Sequence, residues 1–184
     1  TNQNGSKVRE TKNYYDTLSF GSVNAGNLTK QELWKEASTY IDVEKTYNST
    51  YGIVTQEKDA RDKITAYTYD SFNLYPGTTT NPLSHVIESI YDYSSGKVAT
   101  TTDPNGRVFV TVYDAFDRPV AEKQPDLTTP STLVTKAIYS YTDTGMPRRV
   151  QKTNYLSTAT STETYSYING LGKTIEDRTE AEGS

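Results

Sequence analysis

Apolar and polar residues alternate along much of this chain, with the two-residue period of strands whose faces differ. In Val108-Phe109-Val110-Thr111-Val112-Tyr113, the three valines fall on one face and Phe109, Thr111 and Tyr113 on the other. Ile64-Thr65-Ala66-Tyr67-Thr68-Tyr69 does the same, with Tyr67 and Tyr69 together. Ile41, Val43, Lys45 and Tyr47 alternate with Asp42, Glu44 and Thr46 and predict a further strand. Leu28 to Ala37 is open between strand and helix. Lys30–Ala37 has good helix propensity, and Thr29 with Glu32 fits a capping box.

Turn signals punctuate these runs. An aromatic residue followed by a small polar one recurs in Tyr69-Asp70-Ser71-Phe72-Asn73, in Tyr91-Asp92-Tyr93-Ser94-Ser95-Gly96-Lys97 and in Tyr113-Asp114-Ala115-Phe116-Asp117-Arg118. Weaker copies are Tyr141-Thr142-Asp143-Thr144-Gly145 and Tyr167-Ile168-Asn169-Gly170-Leu171-Gly172-Lys173, and Tyr15-Asp16 opens a further one. The starting tyrosines 69, 91, 113, 141 and 167 are separated by 22, 22, 28 and 26 residues. The Asp side chain can accept from nearby backbone N–H groups, and Gly, Asn or Asp a few residues on tolerates positive φ. A basic and then an apolar residue usually open the return strand, as at Lys97-Val98.

A second turn type alternates with the first. Asp103-Pro104-Asn105-Gly106 joins Lys97–Thr102 to Arg107–Tyr113, and Ala60-Arg61-Asp62-Lys63 holds the same place one unit earlier. Leu74–Ser84 and Gln124–Thr132, each with two prolines, read as loops. No linker divides the chain. The pattern predicts an all-β fold, a meandering antiparallel β-hairpin array in one segment 1–184. Residues 1–50 lead in, and 51–184 carry the regular repeats.

Composition changes this picture little. Hydrophobic residues make up 33% of the chain, which is low for a compact globule, yet 16 tyrosines argue against disorder. Tyrosine therefore carries much of the expected burial, and its hydroxyl needs a partner or water. The 19 basic and 23 acidic residues are interspersed, with no basic stripe, so no nucleic-acid partner is expected. No apolar run reaches the length of a membrane span. Thr1–Lys12 is polar throughout, unlike a signal peptide, and reads as an internal start. The absence of Cys excludes disulfides and thiolate metal sites.

Tyr113-Asp114-Ala115-Phe116-Asp117-Arg118, preceded by Thr102-Asp103-Pro104-Asn105-Gly106-Arg107, resembles the YD or Rhs repeats of bacterial Rhs toxins, of the B component of Tc toxin complexes and of teneurins. Tyr167 to Lys173, with Gly170 and Gly172, is similar to a Gly-Leu-Gly-Arg variant of the same repeat. Asp117 in place of Gly, Lys97 and Lys173 in place of Arg, and Asn169 in place of Asp depart from it. The resemblance implies a hollow β-shell around a C-terminal toxin or unfolded cargo, of which this chain is an arc of wall. Its implied partners are neighbouring repeats of the same polypeptide and the enclosed cargo, in a secreted or cell-surface bacterial protein. The repeat-motif residues are then structural: Tyr69, Asp70, Tyr91, Asp92, Gly96, Tyr113, Asp114 and Arg118 in one turn type, and Asp103, Gly106 and Arg107 in the other.

Candidate chemistry is sparse. His85 is the only histidine, and Ser84 beside it points to the opposite face in an extended chain. Asp70, Asp92 and Asp114 lie one repeat apart, too far in sequence for the converging oxygens of a calcium site, and each has a turn to hold. The Asp-Pro-x-Gly letters at Asp103–Gly106 also occur in family members that cleave themselves near the end of the shell, but here ordinary repeats follow. Gly170-Leu171-Gly172-Lys173 lacks the spacing of a phosphate loop. Sequons at Asn4, Asn27 and Asn48 matter only in a eukaryotic secretory route. The expectation is therefore no enzyme, no cofactor and no metal. The alternative is a carbohydrate-binding or adhesion module that stacks sugars on exposed tyrosines or on Trp34.

Overall fold

In the computed structural model, residues 7–157 and 160–180 are described. They form strands joined by turns, with no helix among them. The chain divides into two units, Thr1–Glu88 and Ser89–Ser184, and the division falls inside a strand, not at a linker.

The first unit holds β1 (Thr11–Tyr15), β2 (Leu28–Glu36), β3 (Thr39–Tyr47), β4 (Val54–Lys58), β5 (Ile64–Tyr69), β6 (Pro76–Thr80) and the start of β7 (Val86–Asp92). Each strand pairs antiparallel with the next in sequence. The second unit holds the end of β7, then β8 (Lys97–Thr102), β9 (Val108–Tyr113), β10 (Pro119–Pro125), β11 (Leu133–Thr142), β12 (Arg148–Tyr155), β13 (Ser161–Ile168) and β14 (Thr174–Glu180). From β8 to β14 the same meander of antiparallel neighbours continues. The expected all-β hairpin array is therefore the observed fold.

Three segments refine the reading from sequence. Leu28–Glu36 is a strand, paired with β1 on one side and β3 on the other, so pairing on both edges outweighs its helix propensity. Leu74–Ser84 was expected as a loop and instead contains β6. Pro76 is the first residue of that strand, where a missing N–H is tolerated. Gln124 and Pro125 likewise belong to β10, and only the following residues up to Thr132 form the loop.

The burial follows from a single-layer sheet. Ala137 and Pro125 are the two buried residues among the described residues, and most strand positions are half-exposed on both faces. Apolar burial alone is therefore modest. The stabilisation must come from the ladders, the turns and the amphipathic side chains lying across neighbouring strands.

Candidate functional site

The turns share one construction. Asp59, Asp70, Asn81, Asp92, Asp103 and Asp114 succeed one another at intervals of 11 residues, one strand and one turn each. In the turn at Asp114, the carboxylate Oδ1 accepts the backbone N–H groups of Phe116 at 2.8 Å and Arg118 at 3.0 Å. The Asp114 N–H donates to the Arg118 carbonyl, and the Asp117 N–H donates back to the Asp114 carbonyl. Asp59, Asn81, Asp103 and Asn169 make the same pair of side-chain bonds to the residues two and four further on. The short polar side chain thus satisfies donors that would otherwise be left at the chain reversal.

The residue three positions after this anchor takes the left-handed conformation. It is Gly106 and Gly172 in two turns, with φ of 77° in both. It is Asp62, Asn73, Ser84 and Asp117 in four others, at 56° to 63°. Asp117 therefore stands where the backbone wants glycine, as its departure from the repeat pattern suggested. Asp92 makes a variant turn, accepting from both N–H and hydroxyl of Ser94, with Gly96 left-handed one residue later. Gly170 is not left-handed; a Cβ there would meet Met146 Cε at 3.5 Å.

The donors arranged around these carboxylates lower their pKa values. Asp114 is held below the ordinary carboxylate value chiefly by the Arg118 N–H, Asp103 chiefly by that of Arg107, and Asp59 chiefly by that of Lys63. In Asp92 the Ser94 hydroxyl leads.

The tyrosine at the last or next-to-last position of a strand performs a second task. Tyr113 donates its hydroxyl to the Val98 carbonyl at 3.0 Å, Tyr141 to Pro119 at 2.8 Å, Tyr69 to Val54 at 2.8 Å and Tyr47 to Leu28 at 3.0 Å. Extending each strand register gives one rule. The ring faces residue 97, 118, 53 or 27 of the preceding strand, and the hydroxyl reaches the carbonyl one residue beyond. In the second unit the faced residue is basic and lies over the ring. Lys97 Nζ is 5.3 Å from the Tyr113 centroid, and the Arg118 guanidinium carbon is 4.0 Å from that of Tyr141. Arg118 also forks between two turns, bonding Asp114 at 2.8 Å and Asp143 at 2.8 Å.

A third set of tyrosines ties strands face to face through carboxylates. Tyr67 on β5 donates to Glu57 on β4, which also pairs with Lys45 on β3. Tyr139 on β11 donates to Glu122 on β10, with Lys152 of β12 over its ring at 5.0 Å. Tyr14 donates to Glu32, which pairs with Lys30.

The motif residues read from sequence thus lie on turns and strand ends. Tyr91 is the penultimate residue of β7, before Asp92, and Tyr167 lies on β13 opposite Arg149. The turn at Asn81 was not expected from sequence, although its place in the 11-residue series marks it. His85 closes that turn: its N–H donates to Asn81 Oδ1, and its carbonyl accepts from the Asn81 N–H. Ser84 is the left-handed corner. Asp70, Asp92 and Asp114 sit in three separate turns, and no metal-holding cluster of His, Asp and Glu occurs among the described residues. The Trp34 indole N–H donates to the Ala37 carbonyl at 2.9 Å. Asn48 spends its side-chain oxygen on the N–H groups of Thr50 and Tyr51. The sequon at Asn4 lies outside the described residues. A shallow depression in the second unit is walled by Pro125, Leu127, Val134, Tyr155 and Leu156.

Residues 91–129 match the family model of the RHS Repeat. That stretch runs from Tyr91 through the turns at Asp92, Asp103 and Asp114. No curated protein sequence matches the chain. Among solved structures, the crystal structure of TcdB2-TccC3 superposes on 93% of this chain with a TM-score of 0.65 and 10% sequence identity. The chain spans only 10% of that molecule's length, and at this identity the likeness is one of fold. Residues 91–129 thus carry an RHS repeat, and the array shares the fold of the matching part of TcdB2-TccC3.

Proposed function

We propose, from the RHS Repeat match over residues 91–129 and the fold shared with TcdB2-TccC3, that this chain is a non-catalytic wall segment of a larger shell that encloses a C-terminal toxin or other cargo. On this reading its partners are the neighbouring repeats of the same polypeptide and the enclosed cargo. The host is a secreted or cell-surface bacterial protein.

The observation that carries the reading is how the motif residues are used. The repeat aspartates bond their own turns, the tyrosines near strand ends bond the preceding strand, and Arg118 joins the β9–β10 turn to the β11–β12 turn. Polar side chains used in this way build wall. His85 and Ser84, the pair that an acyl-transfer site would need, form the close and the corner of one turn. The adhesion alternative needs a row of free tyrosine faces. The rings of Tyr14, Tyr40, Tyr113, Tyr139, Tyr141 and Tyr165 instead lie under Lys or Arg side chains of the same chain, so the wall reading is preferred.

Limited proteolysis of the full-length polypeptide tests this. The shell reading expects the segment C-terminal to the repeats to resist digestion for as long as the repeats stay folded. Digestion of that segment at the rate of an unfolded chain, with the repeats intact, would overturn it.

A further inference from the structure

Two turns of the second unit contain an asparagine followed by glycine, Asn105-Gly106 and Asn169-Gly170. The fold uses the two asparagines differently. Asn169 anchors its turn, and its Oδ1 accepts the N–H groups of Leu171 and Lys173, both at 3.0 Å. Asn105 stands two residues after its anchor, Asp103, and gives its backbone N–H to the Asp103 carboxylate at 2.9 Å. The Asn105 side-chain amide makes no hydrogen bond among the described residues. Asn105 and Gly106 are both exposed, at the tip of the turn between β8 and β9.

We infer that Asn105 is a spontaneous modification site, whose amide is converted to an acid by ring closure onto the free tip of its turn. The Gly106 N–H gives its proton to hydroxide, and the nitrogen attacks Asn105 Cγ. The new N–C bond closes a succinimide ring, and the side-chain nitrogen takes a proton from water and leaves as ammonia. A second water then opens the ring. Opening at Cγ leaves aspartate in an otherwise unaltered chain. Opening at the Asn105 backbone carbonyl carbon leaves isoaspartate, whose backbone runs through Cγ and is one methylene longer. Glycine suits the attack because no Cβ shields its nitrogen. Even a Cβ built at Gly106 would meet nothing within 4 Å, so no neighbouring atom hems in the corner.

Hydrogen bonds decide between the two sites. Closure at Asn105 breaks one bond, from the Gly106 N–H to the Asp103 carbonyl at 2.9 Å. Closure at Asn169 turns Oδ1 away from two donors, the N–H groups of Leu171 and Lys173. The additional bond should slow Asn169 by roughly fivefold relative to Asn105 in the folded chain. Isoaspartate at position 105 also undoes the turn. The extra methylene displaces the Gly106 and Arg107 N–H groups from the carbonyl and Oδ1 of Asp103. Aspartate at the same position leaves those bonds in place. The inference stands independently of the cargo-shell reading, because it concerns the chemistry of one turn.

Ageing the folded 184-residue chain at mildly alkaline pH, followed by tryptic digestion and peptide mass spectrometry, tests it. Trypsin puts the two sites in separate peptides, 98–107 and 153–173. The first should gain the mass change from amide to acid at Asn105 roughly fivefold faster than the second gains it at Asn169. In urea the two rates should converge, because the bonds that distinguish the sites are gone. Asn105→Gln should leave the first peptide unmodified, with an unchanged circular dichroism spectrum, since the Asn105 amide holds nothing. Aged chains should lose urea stability in proportion to their isoaspartate content, measured by enzymatic methylation, whereas Asn105→Asp should keep the wild-type midpoint. A folded chain that modifies Asn169 as fast as Asn105 would overturn the inference. So would an Asn105 that stays intact in the folded chain over the time in which urea allows its conversion.

Discussion

Arg118 lies over the ring of Tyr141 at 4.0 Å, while the hydroxyl of that ring bonds the carbonyl of the very next residue, Pro119. One aromatic side chain thus holds both a cation and a backbone acceptor of the neighbouring strand. Arg118 in turn reaches Asp114 behind it and Asp143 ahead. The β9–β10 and β11–β12 turns are joined through a single guanidinium, whose planar fork suits carboxylate partners in a way that an ammonium does not.

Removing only the hydroxyl isolates the backbone part of this contact. Tyr141→Phe should keep the stack and lose the bond to Pro119, lowering stability by about 1 kcal/mol. Urea unfolding followed by circular dichroism measures it, and an unchanged midpoint would mean that the bond contributes nothing.

The left-handed corners make a second, opposite prediction. Gly106 has φ of 77° and nothing within 4 Å of where a Cβ would lie, so Gly106→Ala isolates backbone strain. That strain should cost about 1–2 kcal/mol. Asp117→Gly relieves the same conformation and should gain about 0.5–1 kcal/mol, less than the full strain because glycine loses more entropy on folding. Thermal unfolding of both variants reads the two signs.

Acid should act on the turns. Asp59, Asp92, Asp103 and Asp114 all have folded pKa values below their ordinary ones. Their contribution is therefore full above the unfolded value of about 3.9 and is lost as pH falls through the lowered folded values. The urea midpoint should hold steady from neutral pH down to about 5 and drop below about 4. Asp103→Asn keeps the acceptor oxygen without the charge, as Asn81 and Asn169 already do, and should flatten that drop.

Alkali should act on the tyrosines, with the sign reversed. Burial raises the pKa of Tyr67 and Tyr139, while bonding to Glu32 raises that of Tyr14. Their contribution is full below the unfolded value of about 10 and is lost as pH climbs through the raised folded values. Ultraviolet titration should show part of the tyrosine signal ionising later in the folded chain than in urea. Coincident curves would count against the Tyr–Glu contacts.

The sequence revealed what local chemistry encodes. Tyr113-Asp114 and Asp103-Pro104-Asn105-Gly106 carry their turns in the anchor and in the left-handed corner, so both were legible. The turn at Asn81 was not, because Pro82 and Leu83 read as loop and Ser84 is an unusual left-handed residue. Only the 11-residue step from Asp70 to Asn81 to Asp92 points to it. β6 was hidden for a related reason: Pro76-Gly77 signals a break, yet a proline at the first strand position costs no ladder bond. The bond from Tyr141 to Pro119, and the Arg118 fork, could not be read in advance. They depend on cross-strand register, which bulges at Val120 and at Lys136 shift away from simple counting.

The central claim is that the repeat aspartate is a structural acceptor for the N–H groups of its own turn. The most direct measurement compares Asp114→Asn with Asp114→Ala by equilibrium unfolding at neutral pH. The account predicts that Asn, which keeps the Oδ1 that bonds Phe116 and Arg118, stays closer to wild type, and that Ala is clearly the less stable of the two. Asp114→Ala as stable as wild type would contradict it.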